Sequence, residues 1–191
     1  MFKIYFMSNH IIERIQKELG FPPLQKIDPN IQETKENRVI PREKFGQAAI
    51  PAVLAGFFRY TRSDKCCSHI LAGGRPENWL DEIFENKKEI AVEKVTHYSG
   101  LPFEEAEAGM EDIAREAVNI ILRGAGEKPT AEKIRLFMGS QRHNILVHLP
   151  AALQLGDLLH DDAMDDRTNK MEGPVSNFMH TIENKLSGGG S

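Results

Sequence analysis

Apolar residues in this chain recur every three or four positions, segment after segment, and Gly and Pro separate the segments. That spacing gathers apolar side chains on one face of an α-helix. No stretch alternates apolar and polar residues long enough to make a half-buried strand; residues 1–6 are the one candidate. The expected fold is all-α, a compact multi-helix bundle of seven to nine helices.

Ser8 or Asn9 can cap a first helix, with Ile11, Ile12, Ile15 and Leu19 on one stripe. Gly20 stops it, and Phe21-Pro22-Pro23 forbids continuation. Residues 22–40 are mostly polar and aperiodic, so they read as a linker. The first helix, within residues 1–21, is thus expected to be tethered rather than built in. Its apolar stripe would then dock on a partner or on a second copy.

A helical domain follows over residues 41–186. Pro41 opens it, and Phe45, Ala48, Ala49, Val53, Leu54, Phe57 and Phe58 keep helical spacing, with Pro51 predicting two helices or a kink. A short helix follows from Asp64 to Leu71, and another from Glu77 to Phe84. Asn86 and Glu89 resemble a capping box at the start of a helix to Tyr98. Pro102, Glu104 and Glu105 suit a helix start, and Ala106, Met110, Ile113, Ala117, Ile120 and Ile121 define the buried face of that helix. Thr130 caps a helix to Met138, Gly139-Ser140 is expected to break it, and a further helix is expected to Leu159 with Pro150 inside. Residues 161–174 read as irregular, and Val175, Phe178, Met179 and Ile182 as a last amphipathic helix. Residues 187–191 read as a flexible tail.

Composition narrows the setting. Net charge is −4 and no Lys/Arg-rich run exists, which argues against nucleic acid. No run approaches the ~20 apolar residues of a membrane span, so no membrane insertion is expected. The two cysteines, Cys66 and Cys67, are adjacent, which suits free thiols in a reducing, cytoplasmic compartment.

Phe45 to Leu122 also carries a family likeness. The residues concerned are Ala48-Ala49-Ile50-Pro51-Ala52-Val53-Leu54-Ala55-Gly56, Trp79-Leu80, Ala91, Val92, Val95, Ser99-Gly100-Leu101-Pro102-Phe103-Glu104-Glu105-Ala106, Ile113 and Ala117-Val118. This stretch resembles the YidB-like group of uncharacterised bacterial proteins. The resemblance implies a helical bacterial cytosolic protein and supplies no catalytic residues.

One segment could carry chemistry: Leu158-Leu159-His160-Asp161-Asp162-Ala163-Met164-Asp165-Asp166. It resembles the first aspartate-rich motif of isoprenyl diphosphate synthases, where such carboxylates bind Mg²⁺ bridging a diphosphate. The second such motif of that family is absent, and only 25 residues follow Asp166. A calcium loop counted from Asp161 would use Asp165, Asn169 and Glu172, but Ala163, Asp166 and Thr168 fall where a ligand, a Gly and an aliphatic belong. Asp161, Asp162, Asp165 and Glu172 are therefore the candidate ligands for Ca²⁺ or Mg²⁺, set against a plain solvated acidic loop. His143, His148 and His160 do not share a helical face, so zinc would need convergence by tertiary folding. Ser140 lacks a nucleophile elbow, and Gly124-Ala125-Gly126-Glu127-Lys128 lacks phosphate-loop spacing. Phe57, Phe58, Met110, Phe137 and Met138 read as core. The functional expectation is a non-enzymatic protein acting by helix-mediated association, with protein partners or self-association; the alternative is binding of Ca²⁺ or Mg²⁺ through the acidic cluster 157–172, with phosphate ligands as a further option.

Overall fold

A computed structural model describes residues 10–27, 41–73 and 76–156. The helices are α1 (Ile11–Leu19), α2 (Pro41–Tyr60), α3 (Asp64–Leu71), α4 (Trp79–Phe84), α5 (Lys88–Ser99), α6 (Phe103–Gly124) and α7 (Ala131–His148), with 3₁₀ turns at Glu85–Lys87 and Ala151–Leu153. No strand occurs among the described residues, and the all-α expectation holds for them. Six of these helices have eight residues or more and α4 has six. For the described residues the expected count is too high, because two expected breaks are absent.

The first is the boundary between two helices that Pro51 allows; Pro51 lies inside one continuous helix instead. Its ring removes a backbone donor, but every residue from Phe45 to Phe57 is buried. A helix apolar on all sides belongs at the centre of a bundle, and α2 packs against α4, α5, α6 and α7. The second is at Gly139-Ser140. A mid-helix Gly weakens a helix by roughly 0.5–1 kcal/mol. Burial of Ile134 and Met138 before it, and of Gln141 and Ile145 after it, outweighs that deficit. α7 stops instead at Leu149, whose backbone is extended (φ −78°, ψ 117°) because Pro150 follows.

Caps explain the remaining boundaries. Asn78, not Glu77, opens α4: its Oδ1 accepts from the backbone N–H of Leu80 at 2.8 Å and of Asp81 at 3.4 Å. The buried carboxylate of Glu111 accepts from the same Leu80 N–H at 3.2 Å, joining α6 to the start of α4. The expected capping box at Asn86 is replaced by the 3₁₀ turn, and α5 begins at Lys88. Thr130 caps α7 as expected, accepting from Lys133 N–H at 3.2 Å. Gly20 and Gly100 end α1 and α5 in the left-handed conformation that only Gly adopts freely. The expected caps Ser8 and Asn9, the helix over Val175–Ile182 and the tail lie outside the described residues.

The tethered-helix expectation needs correction. Ile11, Ile12 and Ile15 are at most 2% exposed and belong to the same core as α2, α5, α6 and α7. α1 packs on α6, α2 and α7. Phe21, which ends the first segment, and the linker residue Leu24 also pack against that core. The apolar stripe finds its cover within the chain.

Candidate interaction site

Three properties of the first helix dictate its seat. It is only nine residues long, too short to be stable alone. Its isoleucines need an apolar surface, each gaining about 1.5–3 kcal/mol on full burial. Its first N–H groups have no partner inside the helix. The body answers each need. α6, α2 and α7 form a groove that takes Ile11, Ile12 and Ile15. From α7, Gln141 Oε1 accepts the Ile11 N–H at 3.1 Å, while its Nε2 donates to Ser140 Oγ at 3.0 Å.

The segment after α1 is fastened as firmly. Gln47, on the central helix, accepts from Gln25 N–H at 2.8 Å through Oε1. Its Nε2 donates to Gln25 O at 3.0 Å and to His148 O at 2.9 Å. Ile27 N–H donates to Val147 O at 2.8 Å. Val147 and His148 are the last residues of α7, whose carbonyls have no partner further along the helix. Residues 10–27 therefore cap α7 while being held by it. At the other end of α1, Arg42 donates to Leu19 O and Gly20 O at 3.3 and 3.5 Å, where the helix dipole favours a cation. Its guanidinium lies 5.6 Å from the Phe21 ring centroid. Phe21 in turn rests on Gly46, where an added Cβ would come within 3.0 Å of its ring. Beside this junction is an open hollow of about 630 Å³ between Lys17 and Gly20 on one side and Arg42 and Glu43 on the other.

A second polar cluster joins α2, α3 and α4. Tyr60 Oη lies 3.0 Å from His69 Nδ1 and donates to Glu82 Oε2 at 3.1 Å. Trp79 lies beneath, 5.8 Å from the His69 ring and 6.5 Å from that of Tyr60. Burial, then the hydrogen bond and charge of Glu82, hold the Tyr60 phenol above its ordinary range, so it stays protonated. Next to it, Cys67 Sγ donates to Thr61 O at 3.1 Å, and burial pushes that thiol up. Both cysteines are free. The arrangement pins three helix ends together.

The candidate ligands Asp161, Asp162, Asp165 and Glu172 lie outside the described residues, as does His160. Among the described residues no three His, Cys, Asp or Glu side chains gather to hold a metal ion. His148 is turned inward, its Nδ1 2.7 Å from Asn144 O. Phe57, Met110 and Met138 are buried and Phe58 and Phe137 partly so, as expected of core. No described helix is long and apolar enough to cross a membrane. Sequence reasoning missed Gln16, Gln47 and Gln141. A signal existed: Gln141 falls on the stripe of Ile134, Met138 and Ile145, and Gln47 lies inside an otherwise apolar run. Gln16 Nε2 donates to Pro22 O at 2.5 Å, turning the chain out of α1.

Compared with protein-family models, curated proteins and solved structures, the chain has no match in any of the three.

Proposed function

We propose that this chain is a non-enzymatic bacterial cytosolic protein that acts by helix-mediated association. The observation that carries the reading is the seat of α1. A short amphipathic helix lies in an apolar groove through Ile11, Ile12 and Ile15, with a side-chain amide of the groove capping its N-terminus. This is the helix-in-groove mode of peptide recognition, with the chain's own helix as the resident ligand. The resemblance of residues 45–122 to the YidB-like group supports the bacterial, cytosolic setting. In this reading the groove is the binding site, and α1 competes with any helix that presents the same stripe.

A labelled peptide of residues 10–27 tests this. It is added to the native chain and to an Ile11→Asp/Ile15→Asp variant whose own helix cannot seat. The variant is expected to bind the peptide at least about tenfold more tightly, since the native groove is already filled. A variant that keeps its helical circular dichroism and ignores the peptide would refute the groove as a binding site.

A further inference from the structure

We infer that the partner is a second copy of this chain, and that two copies exchange residues 10–27 so that each groove holds the other's α1. The inference rests on the helix-in-groove reading above.

The contacts described above that seat the arm run from residues 10–27 to residues of α2, α6 or α7. Gln141 caps Ile11, Gln47 grips Gln25, Val147 O accepts from Ile27, and Arg42 caps Leu19 and Gly20. None of these contacts depends on which copy supplies the arm. Thirteen residues, 28–40, join the arm to α2. At about 3.3–3.6 Å per residue they reach up to ~45 Å. The longest helix, α6, has 22 residues and is about 33 Å long. That reach exceeds the length of any described helix, so residues 28–40 do not by themselves confine the arm to its own chain.

A vacated groove has strong reasons to refill. It would leave three isoleucine seats open to water, return the Val147 carbonyl to the unpartnered state of a helix terminus and strip the Gln47 amide of its two bonds to Gln25. The helix that satisfies all of these features is α1 itself, and besides the chain's own arm a second copy brings it with the same Gln25–Gln47 register. The exchanged form is a closed twofold dimer, because each copy gives and receives the same arm. It differs from the single chain in the entropy of association, so concentration decides between them.

The test uses the full chain. Light scattering from about 5 μM to 1 mM, and after refolding at the highest concentration, is expected to reveal a species of about twice the 21.5 kDa of one chain. Mixing donor- and acceptor-labelled dimers gives the exchange rate. Ile15→Ala loosens the arm equally in both forms, so it should speed exchange at least about tenfold while leaving the dimer fraction nearly unchanged. Ile11→Asp/Ile15→Asp should abolish the dimer. A single-chain mass throughout, a dimer that survives the double variant, or an exchange rate indifferent to Ile15→Ala each overturns the inference. Peptide capture by the double variant together with a strictly single-chain native protein would leave the groove reading standing and remove the exchange alone.

Discussion

Single residues decide how closely these helices approach. A Cβ on Gly109 would sit 2.7 Å from Phe45 Cζ, inside the distance that real contacts tolerate. Gly109→Ala is therefore expected to destabilise the fold by about 1–3 kcal/mol. Gly139 is also inside a helix, but an added Cβ there meets nothing within 4 Å. Gly139→Ala should stabilise by about 0.5–1 kcal/mol, through helix propensity and a less flexible unfolded chain. Urea midpoints of the two variants should move in opposite directions, and a shared direction would contradict the packing described. Tyr60 offers a titration at the same scale. Its phenol is raised in the folded chain, so the unfolded chain loses its proton first. The associated stability is complete below the ordinary phenol value near 10 and declines as pH climbs above it. Tyr60→Phe should remove this part of the alkaline decline, seen as a smaller fall in midpoint between pH 9 and 11 than in the native chain.

Elements were legible wherever burial and local grammar agreed. Gly20, Gly100 and Thr130 mark boundaries that the structure keeps, because a left-handed cap or a side-chain acceptor acts within one turn. Gly139-Ser140, and Pro51 as a boundary between two helices, misled for a tertiary reason. Each sits in a helix whose flanking residues are buried against other helices, and that gain exceeds the local deficit. The arm misled in the opposite sense. Its polar linker suggested separation, but Phe21 and Leu24 pack against the core, and the fastening amides of Gln47 and Gln141 have no one-dimensional signature stronger than a polar residue on an apolar face. Gln47→Leu keeps the volume of that side chain and strips its three hydrogen bonds, leaving Gln25 N–H and His148 O in search of partners. The expected cost is about 1–3 kcal/mol. Hydrogen exchange should localise it: protection at Gln25 and Ile27 drops at least about tenfold, while amides in the middle of α6 change no more than global stability requires. Unaltered protection at Gln25 would mean that the Gln47 amide does not hold the arm.

Charge is the whole-molecule property that bears on the metal alternative. Residues 157–191 contain seven of the 28 acidic residues and three of the 24 Lys and Arg. The entire net charge of −4 therefore resides there, and residues 1–156 are formally neutral. An unbalanced acidic segment attracts divalent cations whether or not it forms a site, so binding alone decides nothing. The distinction lies in saturation and in salt. A coordination site of Asp161, Asp162, Asp165 and Glu172 would discriminate between Ca²⁺ and Mg²⁺ by size and ligand number. Diffuse attraction between exposed charges is largely screened beyond about 8 Å at 0.15 M salt. Under the association reading, calorimetric heats should be alike for the two cations, fade at 0.15 M NaCl and persist in part in an Asp161→Asn/Asp165→Asn variant. A saturable Ca²⁺ heat that withstands salt and vanishes in that variant would instead establish a site. It would move the function from the groove at the front of the chain to the acids near its end.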